Sequence, residues 1–216
     1  MKRFRFRRSV GTLVATLSIA AGIGCGPNAA DRHLSDLQSS DSALRRAAAQ
    51  AIVEQESPEP RLQAALTRAL GDSDPEVRRW SCRGLGQFGT PEAVPLLESR
   101  LSDESTPVRR AAAFSLLRLD PASQGGRKEL EQAMKSGDGG VIIALRDWTP
   151  PPTWASPTLL TLLKDHRPGI RRLAAEALGN TGGNEPQVIA ALEAAAKDSD
   201  DRVRQAVTAA LVRLKD

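Results

Sequence analysis

The sequence predicts an all-α fold, a right-handed α-solenoid of about six antiparallel helix pairs, on three observations. A short register, in which a turn residue is followed three positions later by an aliphatic residue and then by arginines, recurs six times. The aliphatic anchors of successive copies stand 33, 31, 33, 29 and 33 positions apart. Apolar residues on both sides of each anchor follow the period of a helix, not the alternation of a strand. A period of about 30 residues means stacked units, each too small to bury its apolar face alone.

In order, the copies are Asp41-Ser-Ala-Leu44-Arg-Arg, Asp74-Pro-Glu-Val77-Arg-Arg, Ser105-Thr-Pro-Val108-Arg-Arg, Asp138-Gly-Gly-Val141-Ile-Ile, Arg167-Pro-Gly-Ile170-Arg-Arg and Asp200-Asp-Arg-Val203-Arg-Gln. Three and four residues past the anchors stand Ala47/Ala48, Trp80/Ser81, Ala111/Ala112, Ala144/Leu145, Leu173/Ala174 and Ala206/Val207. Seven and eight past them stand Ala51/Ile52, Gly84/Leu85, Ser115/Leu116, Trp148/Thr149, Ala177/Leu178 and Ala210/Leu211. That stripe buries one face of a second helix, and its small residues let the next helix approach. Seven and eleven residues ahead come Leu70/Leu66, Leu101/Leu97, Met134/Leu130, Leu163/Leu159 and Ala196/Leu192, the same stripe on a preceding first helix. Asp74 before Pro75, Thr106 before Pro107, Ser57 before Pro58 and Thr90 before Pro91 read as helix starts. Gly86, Gly89, Gly179 and Gly182 read as helix ends.

Having six copies gives the pattern a family likeness. The segments GTPEAVPLLESRLSDESTPVRRAAAFSLL, from Gly89 to Leu117, and IRRLAAEALGNTGG, from Ile170 to Gly183, resemble HEAT repeats of the short type named after phycobilisome lyases. The likeness covers residues 31–216 and implies an armadillo-like superhelix of stacked helix pairs.

Ahead of the repeats, residues 1–24 read as an export signal. Lys2, Arg3, Arg5, Arg7 and Arg8 precede an uncharged stretch from Ser9 to Gly24. That stretch is short and rich in small residues, and a membrane span needs about 20 mostly apolar ones. Gly22-Ile-Gly-Cys25 resembles the lipobox of bacterial lipoproteins, which implies cleavage before Cys25 and lipidation of its sulfur; the other reading is a secretory signal cut near Ala29 or Ala30. Arg7-Arg8 resembles a twin-arginine signal. Residues 25–30 then form a short linker.

The leader also accounts for the charge of +4. The rest of the chain carries 25 basic and 26 acidic side chains, so nothing in its balance points to nucleic acid. With only Cys25 and Cys82, a disulfide framework and a cysteine-rich metal site are both excluded.

Five first arginines, Arg45, Arg78, Arg109, Arg171 and Arg204, recur with aspartates just upstream. The resemblance implies that such pairs bridge repeats, a role suited to a planar guanidinium. The second arginines Arg46, Arg79, Arg110 and Arg172, with Arg83 and Phe114, are expected on the outer side of the second helices. In HEAT arrays that side commonly forms a concave surface, which suits a protein partner or an extended acidic segment.

The fourth unit replaces both arginines by Ile142 and Ile143 and continues into DWTPPPTWASP, from Asp147 to Pro157. Trp148 falls at a core position of its helix and reads as a filler. Trp154, Ile142 and Ile143 remain open between a partner contact and packing. Cys82 reads as a small apolar residue, because His33 and His166 stand 49 and 84 positions away. No phosphate-loop glycine motif or paired metal-binding carboxylates are visible, and two distant histidines make a poor metal site.

The expected protein is therefore an exported, lipid-anchored scaffold at the bacterial cell envelope, facing the periplasm. It binds an unidentified protein partner, uses no cofactor and is not an enzyme. Two alternatives stand beside this: a chromophore-handling enzyme like the bilin lyases, and a spacer without a specific partner. Likeness of fold does not carry activity.

Overall fold

The computed structural model describes residues 28–55, 59–89, 91–149, 152–181 and 185–214. The described residues contain twelve α-helices, one 3-10 turn and no strand. The first six helices are α1 (Ala29–Asp36), α2 (Ser42–Val53), α3 (Pro60–Ala69), α4 (Pro75–Phe88), α5 (Ala93–Arg100) and α6 (Thr106–Leu119). Then come α7 (Gln124–Lys135), α8 (Gly139–Arg146), the 3-10 turn Thr153–Ala155, α9 (Ser156–Leu162), α10 (Pro168–Thr181), α11 (Pro186–Ala195) and α12 (Asp201–Arg213). The even-numbered helices, α2 to α12, are the second helices of the repeat. The export signal, Cys25, Ser57, Pro58, Thr90 and Gly182 lie outside the described residues. No described helix is long and apolar enough to cross a membrane.

The residues fall into two compact units, Pro27–Val141 and Ile142–Asp216. In the first, α2 packs on α4 and α4 on α6, with α3, α5 and α7 as their partners. In the second, α9 and α11 pack on α10 and α12, and α10 lies against α12.

The stripe read from the sequence is the core. Leu66, Leu97, Leu130, Leu159 and Leu192, eleven positions ahead of their anchors, are all fully buried, as are Val77, Val108 and Val203. The residue four past each anchor is also buried, from Ala48 to Val207. The buried face is wider than expected, because Ala49, Cys82, Ala113 and Ala175, five past the anchor, are fully buried too.

Several positions depart from the pattern. Leu44 is 47% exposed, since the two-turn helix α1 does not cover the first anchor. Ala47, Ala144, Thr149 and Ala196 are exposed as well. Helix α8 stops at Arg146, so Trp148 is half-buried beyond the helix and not a filler within it. The prolines at 150, 151 and 152 disfavour helical backbone ahead of them.

Caps fix the starts of the second helices. The Asp41 carboxylate accepts from the Ala43 N–H, Asp74 from Glu76 and Val77, and Asp200 from Arg202 and Val203. Thr106 is the first residue of α6 and not its cap; Ser105 holds that position without a side-chain bond. Gly89 closes α4 in the left-handed conformation at φ 75°.

Gly86 and Gly179 do not end helices; both sit inside them, where neighbours crowd. A Cβ on Gly86 would lie 2.4 Å from the Ser115 Cβ, and one on Gly179 would lie 2.7 Å from the Ala210 Cα. Both glycines stand nine past their anchor and meet a residue seven past the next one. At the junction of α2 and α4 the sizes are exchanged: Val53 takes the position of nine past, and Gly84 faces it. At these three junctions one glycine sets how closely consecutive second helices pack.

Candidate interaction surface

Three of the five first arginines are bridges to an aspartate of the next repeat, and Arg204 pairs instead with Asp201 of its own helix. The Arg45 fork donates to both Asp72 oxygens at 2.8 and 3.0 Å, Arg78 to Asp103 at 2.8 and 2.9 Å, and Arg171 to Asp198 at 2.7 and 2.8 Å. The remaining Nη1 of each donates to two carbonyls of the preceding turn, as Arg78 does to Asp72 and Ser73 at 2.9 and 3.2 Å. The receiving aspartate folds its own turn by accepting a backbone N–H two residues on, as Asp103 does from Ser105. One guanidinium thus ties two loops of consecutive repeats.

The ladder breaks around the fourth unit. Arg109 keeps its carbonyl contacts and donates to the Thr106 hydroxyl, but its acidic contact is Glu129, at 3.5 Å, because Ser136 stands 27 positions on, where Arg45 and Arg171 find Asp72 and Asp198. Fully buried Ile142 stands where the next arginine would be, which removes it from any docking surface. Asp165 pairs locally with Arg167, which holds its carboxylate well below the usual range.

The second arginines divide into two pairs. Arg46 forks onto Asp74, and Arg110 pairs with Asp138 through Nη1, so these two also bridge repeats by gripping a helix-capping aspartate. The Arg46 side chain is still 49% exposed. Arg79 instead pairs with Glu76, and Arg172 with Glu176, both within their own helix.

Helical spacing extends this surface. The residues two, six and ten past the anchors form a stripe that is nowhere buried: Arg46 and Gln50 on α2 with Glu54 at its C-terminal cap, Arg79, Arg83 and Gln87 on α4, and Arg110, Phe114 and Arg118 on α6. Phe114 is half-buried, Ile143 is 40% exposed, and Trp154 is half-buried in its 3-10 turn. Trp80 packs its base against the core formed by Ile52, Leu62 and Leu66. Its ring is stacked by two guanidiniums, Arg79 at 4.8 Å and Arg83 at 4.7 Å. Arg83 has no acidic partner among the described residues. Burial, and then the Arg79 charge, push its guanidinium below the ordinary value.

Cys82 lies behind this surface, fully buried, and burial pushes its thiol from 9.0 up to about 12. Such a thiol is not a nucleophile at neutral pH. Since the folded state holds the proton more tightly, the stability gained is complete below pH 9 and is lost as the pH rises towards 12. The loss should approach ~1.4 kcal/mol per pH unit in that window. A Cys82→Ala variant should lack that slope in chemical denaturation; identical slopes would refute the assignment.

In the unit Ile142–Asp216 the stripe borders an open groove of about 580 Å³. Arg172 and Glu176 on α10 form one wall; Arg202, Gln205 and Arg213 on α12 form the other, with Ala206 and Ala209 between them. Arg146 closes one side, bonded to Glu176 at 2.7 Å and Asp147 at 2.8 Å. Asn180 donates to the Arg146 carbonyl and accepts from Arg213, much as Gln87 donates to the Val53 carbonyl. Of these groups the sequence reading singled out only Arg172. Stepping by four from the second arginine would have reached Glu176 and Asn180.

Residues 32–118 and 128–212 match the family model of HEAT repeats. Among solved structures, an engineered protein is 21% identical, over 88% of this chain and 97% of its own, with a TM-score of 0.54. A designed armadillo repeat protein is 18% identical, over 85% and 98%, with a TM-score of 0.52. The complex of CpcE and CpcF of phycocyanin lyase from Nostoc sp. PCC7120 is 20% identical, over 93% and 99%, with a TM-score of 0.46. No curated protein sequence matches the chain. At these identities the structural likeness concerns the fold alone.

Proposed function

Because the chain belongs to the HEAT-repeat family, we propose that it is an exported, lipid-anchored scaffold, which binds a protein partner at the cell envelope and does no catalysis of its own. The leader supports export: five basic residues, an uncharged stretch and Cys25 after small residues. One observation carries the binding role, the stack of Arg79, Trp80 and Arg83 on the outer side of α4. Arginine and tryptophan are the residues that dominate protein interfaces, and this pair is held in place before any partner arrives. Arg83 brings a positive charge with no acid to meet it, so a partner's carboxylate completes the site.

The test is photo-crosslinking from a probe at position 87, beside the stack, in native membranes. Reversing charge with Arg79→Glu and Arg83→Glu should remove the crosslinked species and leave the thermal melt unchanged. Persistent crosslinking would move the interface off α4. Cys25→Ser should release the protein from the membrane fraction, and unchanged partitioning would overturn the anchor.

A further inference from the structure

The groove between α10 and α12 has a definite chemistry. Its walls carry Arg172, Arg202 and Arg213 with Arg146 at one side, against the single carboxylate of Glu176. Glu176 already engages Arg146 and Arg172, so the wall on α12 has no acid within the groove. Arg213 uses one nitrogen on Asn180, and Arg202, 77% exposed, touches only Asp200 among the described residues, at 3.4 Å. Gln205 lies between them on the same face, and its amide makes no hydrogen bond among the described residues.

Length follows from helix geometry. Arg202 and Arg213 are eleven positions apart, about 16 Å along a helix at about 1.5 Å per residue. An extended chain covers that distance in about five residues. Ala206 and Ala209 keep the space between the two arginines free of bulk, so a peptide backbone can lie there.

We infer that this groove binds an extended acidic segment of a partner protein, about five residues long, with carboxylates at alternate positions. Alternation puts the acidic side chains on one face, towards the arginines, and the Gln205 amide meets the peptide backbone. A nucleic-acid strand fits less well, because no aromatic ring lines the groove for bases to stack on. A membrane surface is flat, whereas the charge here lies along both walls of a trough. The inference rests on the reading that the second helices dock a protein, and it places an acidic recognition element on α10 and α12.

The experiment uses the full chain in mild detergent and three fluorescent peptides: Gly-Glu-Ala-Glu-Ala-Glu-Gly and its glutamine and lysine counterparts. The glutamate peptide should bind at low salt and weaken as salt rises, and the other two should not bind. Joint replacement Arg172→Ala, Arg202→Ala and Arg213→Ala should weaken it about tenfold or more. Arg202→Glu alone, at a site too exposed to affect folding, should weaken it severalfold. Equal binding of the glutamine peptide, indifference to Arg202→Glu, or no glutamate binding by the folded chain would each overturn the inference. So would binding of anionic vesicles or single-stranded DNA at these arginines without the peptide. Failure here with intact crosslinking at α4 overturns the acidic occupant alone, whereas loss of crosslinking with intact peptide binding overturns only the α4 surface.

Discussion

Replacing Arg78 with alanine is expected to destabilise the unit Pro27–Val141 by about 3 kcal/mol, lowering its melting midpoint by about 12 °C. The side chain is 7% exposed and donates to Asp103, Glu104 and the carbonyls of Asp72 and Ser73. Its removal strands the Asp103 carboxylate, 4% exposed, and leaves the carbonyls without these donors. Burial works against that carboxylate, but the Arg78 and Ser105 donors outweigh it and hold it below its ordinary value. The pair therefore stabilises the fold above the ordinary aspartate value, about 3.9, and its contribution is lost as the pH falls through the lower folded-state value. Arg78→Lys should recover little, since one ammonium cannot span the carboxylate and the carbonyls together. Adding Asp103→Asn should restore part of what Arg78→Ala loses. Arg61→Ala, which removes an exposed pair with Asp31 and Glu59, should leave the melt unchanged. Equal effects of Arg78→Ala and Arg61→Ala in calorimetry would refute the role of the ladder.

Gly86→Ala is expected to destabilise by about 2 kcal/mol or more, against the propensity that favours alanine in a helix by up to about 1 kcal/mol. The new Cβ would lie 2.4 Å from the Ser115 Cβ and 2.7 Å from its backbone Cα, so α4 and α6 must separate. The Ser115 hydroxyl also donates to the Cys82 carbonyl at 2.8 Å, and the shift would strain that bond. Ser115→Gly in the same chain should recover part of the loss. Gly169→Ala supplies the contrast: nothing lies within 4 Å of its Cβ, so it should be neutral or stabilising. If both substitutions stabilise equally in urea denaturation, close packing at Gly86 is refuted.

Much of this protein was legible as a period. Six recurrences of an aliphatic anchor gave the helix pairs, and the leucines eleven positions ahead of five anchors are all fully buried. Repetition also suggested that the first arginines bridge repeats, and Arg45, Arg78 and Arg171 do. The candidate surface was legible only in part. Arg79 and Arg83 meet on the face expected, but Arg46 and Arg110 are drawn into bridges, and Ile142 is buried. From sequence Arg46, Arg79 and Arg110 are alike, because each stands two past its anchor.

The sequence by itself determined the repeat, the start of α4 at Asp74 and the buried stripe, since these depend on contacts within a unit or at one fixed offset between units. Only the tertiary structure decided which guanidiniums are occupied, whether a glycine ends a helix or packs inside one, and how α10 and α12 enclose a basic groove. Those outcomes depend on which acid or side chain a neighbouring helix brings within about 3 Å, and the period of the apolar residues does not fix that.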